Sequence, residues 1–338
     1  MGEKKYDLLT LGEILLRLSP SDGGRLMRAS SLDIHVGGAE LNVAAGAAQL
    51  GLKAGIISRI PESEIGLLVR SEIRRQGVDD QYLLADRAKD ARLGLYYYEG
   101  AAAPGKPKVV YDRRGTSVYG LREEEFPAEM FSGTRCFHTC GITLALDQQV
   151  RKTAVRLMKR FKEAGALISF DVNFRGNLWT GGEAKACIEE ILPLVDIFFC
   201  SDSTARLTFQ KEGTTGEIMK SFAEAYPLSY IAATDRTVKS PRKHSFGSVL
   251  YDASRDRFYT EKPYENIEVV DGSGDAYVAG VLYGLLTDPG HPETAVAFGN
   301  AVSALKNTVT GDLPAMDLLQ VKELIREHQN GGGLEMKR

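Results

Sequence analysis

The feature that most constrains the fold is the alternation of short apolar segments with helical segments. The apolar segments have the length of buried strands, and they cover 6–12, 54–60, 166–173, 196–201 and 230–234. Helical patterns over 40–50, 63–76 and 147–164 lie between them, each followed by a glycine that ends the helix. Strands that alternate with helices form a parallel sheet covered on both faces. We therefore predict an α/β fold with a central, mostly parallel sheet.

Two stretches interrupt this rhythm. Residues 13–36 and 91–118 contain alternating aromatic and polar positions bounded by glycine, as in RLGLYYYEG and KVVYDRR. This pattern predicts a small β-sheet that projects from the main body as a lid or a subunit interface. We expect one domain over residues 1–326, nearly all helical after residue 274, and a mobile tail over 327–338.

Composition and charge exclude several classes of protein. The chain has 338 residues and a net charge of −3, so no basic field favours nucleic acid or an anionic membrane as a partner. Gly12, Glu13 and Arg17 break the first apolar run, which therefore resembles neither a signal peptide nor a membrane span. The few cysteines suit a reducing interior, and we expect a cytoplasmic protein.

The strongest chemical signal is the glycine-rich turn Asp271-Gly-Ser-Gly-Asp275. An apolar strand leads into this turn, and an apolar helix follows it directly. Backbone N–H groups at such a helix start favour a bound anion. Asp275 in the first turn could accept a proton from a hydroxyl group beside a phosphoryl group held there. An ordinary N-terminal capping carboxylate is the alternative.

A second motif, Gly37-Gly-Ala-Glu-Leu-Asn42, places a glycine pair before a helix. Glycines allow a ligand to approach the backbone closely, and the Asn42 amide offers a donor and an acceptor to hydroxyl groups. A dinucleotide-binding fingerprint would instead be G-x-G-x-x-G directly after the first strand, and this pair lacks that spacing.

Together the two motifs resemble those of the ribokinase-like (phosphofructokinase B) carbohydrate kinases, and the resemblance covers residues 6–326. Within this family the chain is most similar to 2-keto-3-deoxygluconate kinases, in the stretches 12–20, 94–100, 109–117, 141–146, 171–179 and 304–312. The resemblance implies a three-layer fold with a β-sheet lid. It also implies ATP and Mg²⁺ as cofactors, and phosphorylation of 2-keto-3-deoxygluconate at O6.

The resemblance also implies a set of site residues. Asp275 would be the catalytic base; Gly38, Asn42, Tyr96, Arg113 and Arg175 would bind the sugar acid; Ser201, Thr234, Arg236, Gly272, Gly274 and Asn300 would bind the nucleotide, with 234–236 in a turn. Arginine suits this substrate because guanidinium groups pair with a carboxylate. Tyr97 and Tyr98 remain alternatives to Tyr96.

Two departures from the family pattern carry consequences. Ser201-Asp-Ser-Thr204 stands where the family has Asn-x-x-Glu, so the acid that organises Mg²⁺ is absent or displaced to Asp202, and metal ligands stay unassigned. The turn 271–275 is two residues shorter than the family's Asp-x-x-Gly-x-Gly-Asp. We predict a break between Asp271 and Gly272, wider than the ~3.8 Å Cα spacing of a peptide link. A continuous turn would instead favour weak turnover.

Three alternatives follow. The nearest is another sugar kinase of the family, such as a fructokinase. A catalytically weak sugar-acid-binding protein is the second, because of the short turn. A dinucleotide oxidoreductase is the most distant. We expect a small-molecule sugar acid and ATP as partners, and a homo-oligomer assembled through the lid sheet.

Overall fold

The computed structural model describes residues 4–100, 107–240, 243–267 and 272–330, without the side chains of 235, 236, 238–240, 243, 266 and 267. The strands are β1 Tyr6–Leu11, β2 Leu15–Pro20, β3 Leu32–Gly37, β4 Ala54–Pro61, β5 Leu83–Asp86, β6 Gly94–Glu99, β7 Lys108–Asp112, β8 Thr134–Cys140, β9 Leu167–Asp171, β10 Ile197–Phe199, β11 Tyr230–Ser240, β12 Lys243–Asp252, β13 Arg257–Thr260 and β14 Tyr264–Ile267. The helices are α1 Ala39–Gln49, α2 Glu64–Arg75, α3 Ala128–Ser132, α4 Gly141–Leu146, α5 Gln148–Glu163, α6 Gly181–Ile191, α7 Asp202–Phe209, α8 Thr215–Ala225, α9 Ser273–Thr287, α10 Pro292–Lys306 and α11 Leu318–Gln329.

The main sheet has the strand order β13-β12-β11-β10-β9-β8-β1-β4-β5, with β14 paired to β12. Neighbouring strands from β11 to β5 are parallel, whereas β12, β13 and β14 add an antiparallel edge. The predicted α/β architecture is therefore confirmed. The carboxyl ends of β9, β10 and β11 lie side by side at one edge, which is where ligands bind in sheets of this kind.

Successive residues of the central strands pack into opposite layers. Leu9 and Phe137 belong to a core with the helices α5, α6 and α8, whereas Leu8 and Cys136 face α1 and α9. All four side chains are fully buried. Because side chains alternate along a strand, apolar residues at consecutive positions require helices on both faces. The molecule consequently has three layers.

The predicted small sheet is also present, with the order β3-β2-β6-β7. Pairing is antiparallel between β2 and β3 and between β6 and β7, and parallel between β2 and β6. Residue Arg17 of β2 lies opposite Tyr96 of β6. We call these four strands the lid sheet.

The structure changes two details of the sequence prediction, and a third detail falls on residues that the structure does not describe. The turn predicted at 234–236 is wrong, because β11 continues to Ser240 and pairs with β12. Helix α11 extends to Gln329 and so includes the first residues of the predicted tail, while 331–338 lie outside the described residues. The predicted break at Asp271 also lies outside them. Within the described ranges, no helix is both long enough and apolar enough to cross a membrane.

Helices α9 and α10 pack with their backbones almost in contact. A Cβ atom added to Gly280 would lie 2.5 Å from the carbonyl oxygen of Phe298 and 2.8 Å from the Cα of Gly299. Neither backbone atom can move without displacing α10. The N-terminus of α9 is therefore held in place by a rigid helix pair.

We expect Gly280→Ala to lower the free energy of unfolding by about 1–3 kcal/mol, because overpacking forces the two helices apart. Chemical denaturation checks this, with Gly182→Ala in α6 as the matched control. A Cβ atom at Gly182 would meet no atom within 4 Å. Equal denaturation midpoints for the two variants would contradict the close packing.

Candidate active site

The Asp275 carboxylate lies where three elements meet. It is in the first turn of α9, after Gly272, whose φ of +81° lets the chain turn sharply into the helix. The side-chain amide of Asn42, on α1, donates to Asp275 Oδ2 at 2.7 Å. The amide of Asn173, which follows β9, donates to Oδ1 at 3.4 Å. These two asparagines orient the carboxylate toward the ends of the sheet strands.

Burial raises the pKa of Asp275 to about 6. The Asn42 hydrogen bond and the positive charges of Arg175 and Lys306 act in the opposite direction, whereas the Asp312 carboxylate adds to the increase. With this pKa, Asp275 is ionised at neutral pH and is still more basic than an ordinary aspartate. A general base requires both properties.

A cavity of about 170 Å³ opens in front of Asp275, between α1 and the lid sheet. All five residues predicted to bind the sugar line this cavity: Gly38, Asn42, Tyr96, Arg113 and Arg175. Eight further lining residues were not assigned to the site from the sequence: Glu13, Leu15, Ala39, Glu40, Val109, Tyr111, Ile142 and Asp312. Of the two alternative tyrosines, Tyr98 lines the cavity, whereas Tyr97 lies on the opposite face of the lid sheet beside Val110. The β-strand alternation accounts for this difference.

Gly37 and Gly38 have no space for a side chain, because neighbouring atoms of Asp312 and Glu13 pack directly against their backbone. Gly38 has a φ of +148°, and a Cβ atom there would lie 2.3 Å from the Glu13 carbonyl oxygen. A Cβ atom on Gly37 would lie 2.7 Å from a carboxylate oxygen of Asp312. The two glycines therefore let α1 begin directly beneath the lid sheet.

Asp312 connects the lid sheet to the main body. Its Oδ1 accepts a hydrogen bond from Arg17 Nη1 at 3.1 Å, and its Oδ2 accepts one from the Tyr96 hydroxyl. The Arg17 guanidinium also lies 3.9 Å from the ring centre of Tyr98. Because Arg17 and the tyrosines are on β2 and β6, one buried carboxylate holds both lid strands.

Arg113 does not lie free in the cavity, as a carboxylate-binding arginine was expected to. Its Nε donates to Glu13 Oε2 at 2.9 Å, its Nη2 donates to the same oxygen, and Thr116 donates to Oε1 at 2.5 Å. The Arg113 and Glu13 side chains are only 7% and 2% exposed. Much of the guanidinium is thus engaged within the protein.

We call the cavity in front of Asp275 the sugar cavity, because the residues predicted to bind the sugar line it. Arg175 lies at the junction between the sugar cavity and a second cavity of about 200 Å³. Its Nη1 donates to the Phe174 carbonyl at 3.1 Å. Burial raises the pKa of Asp171 to about 7, with a smaller increase from the Asp275 charge, and Arg175 opposes that increase. A single arginine thus offsets two neighbouring carboxylates.

The second cavity brings together three of the residues that were predicted to bind the nucleotide. Ser201, Thr234 and Gly274 line it, together with Thr204 and Asp171. A Cβ atom added to Gly274 would meet no atom within 4 Å, so the start of α9 is open to a ligand. Backbone N–H groups at a helix N-terminus favour phosphate. These residues fit a nucleotide that reaches Asp275 from this side.

The other residues that were predicted to bind the nucleotide are Gly272, Asn300 and Arg236, and Gly272 lines the cavity in front of Asp275 instead. Asn300 is fully buried on α10, where its Oδ1 accepts from the Ser248 hydroxyl at 2.7 Å, and it lines neither of the two cavities. The side chain of Arg236 lies outside the described part of the chain.

Asp202, which was considered as the displaced acid for Mg²⁺, is paired with Arg206 at 2.6 Å. In the described segments no three His, Cys, Asp or Glu residues form a metal-binding group.

Most of the chain matches a known family. Residues 5–317 match the model of the pfkB family carbohydrate kinases. Taken with the three-layer fold and the cavity at Asp275, this match identifies the chain as a member of the PfkB family of carbohydrate kinases.

Several individual proteins are similar over nearly their full length. A 2-dehydro-3-deoxygalactonokinase of Haloferax volcanii is 34% identical over 323 residues, which are 95% of this chain and 96% of that protein. A 2-dehydro-3-deoxygluconokinase of Bacillus subtilis is 27% identical, covering 92% of this chain and 93% of that protein. The crystal structure of a 2-dehydro-3-deoxygluconokinase from Thermotoga maritima superposes with a TM-score of 0.88 at 29% identity, covering 94% of this chain and 99% of the other.

Arg113→Ala should lower the free energy of unfolding by about 3–5 kcal/mol, because it leaves the buried Glu13 carboxylate without its partner. Thermal and chemical denaturation measure the loss. Arg87→Ala is the control, since its ion pair with Glu62 is on the surface, with side chains 79% and 52% exposed. Surface pairs contribute little to stability. If the two variants lose equal stability, the buried pair does not support the lid as described.

Proposed function

We propose that this protein transfers the γ-phosphoryl group of ATP to the O6 hydroxyl of a 2-keto-3-deoxy sugar acid, with 2-keto-3-deoxygluconate as the first candidate. The observation that carries the proposal is the position of Arg175 in the cavity that also holds Asp275. The names of the similar proteins from Haloferax volcanii and Bacillus subtilis support the same substrate class.

One cation that lines the cavity, Arg175, supports an acidic substrate. Arg17 and Arg113 are each paired with a carboxylate, Asp312 and Glu13 respectively. Within the described ranges, Arg175 forms no ion pair within 4.0 Å, and its recorded hydrogen bond is to the Phe174 carbonyl. Its charge is therefore available to a substrate carboxylate, with which a guanidinium forms strong, directed hydrogen bonds. A sugar that carries only hydroxyl groups supplies no such charge.

We infer a function for each part of the site. The Asp275 carboxylate accepts the proton from the O6 hydroxyl, the O6–P bond forms, the bond from the γ-phosphorus to the bridging oxygen breaks, and ADP leaves. The N–H groups at the start of α9 stabilise charge on the transferred group. Mg²⁺ bound with ATP would offset charge on the phosphates. The lid sheet excludes water, which would otherwise compete with the sugar as acceptor.

We assign no configuration to C4 of the substrate. 2-Keto-3-deoxygluconate and 2-keto-3-deoxygalactonate differ only there, and the two relatives carry one name each. A neutral ketose such as fructose is the second candidate, since Glu13 already neutralises Arg113. The short turn at Gly272–Asp275 favours a sugar-acid-binding protein with weak turnover as the third.

We also propose a cytoplasmic homo-oligomer that assembles through the lid sheet. Ile34 and Val110 on this sheet are 52% and 57% exposed, which is unusual for large aliphatic side chains. A second copy of the chain would cover them.

Asp275→Asn should lower kcat by about 10²–10⁴-fold, the usual contribution of a positioned base, and leave the KM for the sugar acid nearly unchanged. The asparagine keeps the size of the side chain but cannot accept the proton. Coupled ADP-release assays over a panel of ketodeoxy acids, hexoses and ribose provide the measurement. Wild-type turnover by this variant would show that Asp275 is not the base.

Arg175→Gln should raise the KM for 2-keto-3-deoxygluconate by tens-fold and change that for fructose much less, since a charge-assisted hydrogen bond contributes roughly 1.5–3 kcal/mol. Arg206→Gln, on the surface of α7, is the control, because it removes the same charge from a residue that does not line the sugar cavity. Equal losses on the acid and on fructose would mean that Arg175 does not bind the carboxylate.

A further inference from the structure

Lys306, the last residue of α10, is a fully buried lysine close to the active site. An ammonium group removed from water is costly unless it is hydrogen-bonded or paired. The Lys306 ammonium donates to the carbonyl oxygens of Gly311 at 2.9 Å and Val309 at 3.4 Å. These carbonyls belong to the loop that leads to Asp312. The lysine therefore fixes the path of this loop.

The same side chain lies directly behind the turn that precedes Asp275. A Cβ atom added to Gly272 would lie 3.3 Å from Lys306 Cε and 2.6 Å from the Asp312 carbonyl oxygen. Gly272 is the residue from which α9 starts. The turn is thus packed between the sugar cavity on one side and the lysine with its loop on the other.

We propose that Lys306 is a positioning residue for phosphoryl transfer: its buried ammonium fixes the Gly272–Asp275 turn against the 309–312 loop and supplies positive charge behind the start of α9. The proposal rests on the proposed function of this site and adds a residue to it. A fixed cation behind the turn adds to the positive potential that the backbone N–H groups at the start of α9 present to a phosphate.

The charges around Asp275 agree with this position. The Lys306 charge lowers the pKa of Asp275, in the same direction as Arg175, whereas Asp312 and the burial of the carboxyl group raise it. Asp171, at the end of β9, is electrostatically coupled to Asp275 as well. Removing the lysine charge must therefore raise the pKa of Asp275. The base is ionised above its pKa, so its ionised fraction near pH 6 falls.

The test is a direct titration of the Asp275 carboxyl carbon by ¹³C NMR in protein labelled with ¹³C-aspartate, the signal being assigned with Asp275→Asn. We expect a midpoint near 6 in the wild type. In Lys306→Met we expect the midpoint to rise by about half a pH unit or more, as one nearby charge is lost. Lys306→Arg keeps the positive charge and should return the midpoint most of the way to the wild-type value. Lys152→Met, at an exposed position on α5, should leave the midpoint unchanged.

The pH profile of kcat is the second readout. Lys306→Met should lose at least about twofold more activity at pH 6 than at pH 8, because the ionised fraction of Asp275 falls at the lower pH. A purely structural lysine would lower kcat by the same factor at both values.

Several outcomes would overturn the proposal. They are an unchanged midpoint in Lys306→Met, or an equal shift in Lys152→Met. If Lys306→Met does not fold, Lys306→Gln, which removes the charge but keeps N–H donors for the Val309 and Gly311 carbonyls, is titrated in its place and must show the same rise. A wild type that phosphorylates no sugar acid would overturn the proposed function instead, and the titration would still decide the role of Lys306.

Discussion

The half-buried Asp275 carboxylate at the start of α9 is the group around which the site is organised. Its two oxygens accept hydrogen bonds from Asn42 and Asn173, which lie on different elements. Burial raises the pKa to about 6, and the nearby cations keep it from rising further. This balance between desolvation and compensating charge makes the carboxylate a base without keeping it protonated at neutral pH. The close packing of α9 on α10 holds Asp275 in this environment.

Buried ion pairs attach the lid sheet to this centre. Glu13 with Arg113 and Arg17 with Asp312 are both almost fully removed from solvent. Such pairs contribute less to net stability than to a defined geometry, because desolvation offsets most of their attraction. They require the lid strands to sit in one register over the cavity. Arg175, in contrast, lines both cavities and has no carboxylate within 4.0 Å in the described part of the chain.

Much of the fold was predictable because its signals are local. Strand-length apolar runs that alternate with glycine-terminated helices predicted the parallel sheet, and the aromatic alternation around Tyr96 predicted the lid sheet. The length of β11 was not predicted, since its pairing with β12 depends on a distant partner rather than on a sequence signal. Long-range strand pairing overrides the local turn signal at 234–236.

The site was predictable to the extent that short motifs encode it. Gly38, Asn42, Gly274 and Asp275, which the two glycine motifs singled out, line the two cavities. The partner of Arg113 and the position of Asp312 depend on the tertiary structure. Glu13 is 100 positions from Arg113 in the sequence, and Asp312 is 295 positions from Arg17. No local pattern marks such pairs. The burial of Asn300 against the Ser248 hydroxyl was not predictable, because a helical asparagine has the same sequence context whether it faces a cleft or the core.

The position of the new phosphate ester tests the central claim most directly. Purified protein is incubated with ATP, Mg²⁺ and uniformly ¹³C-labelled 2-keto-3-deoxygluconate, and the product is examined by ¹³C and ³¹P NMR. Our account predicts an ester whose phosphorus couples to C6, formed in equal amount with ADP. An ester at another carbon, or ADP released without any sugar phosphate, would contradict it.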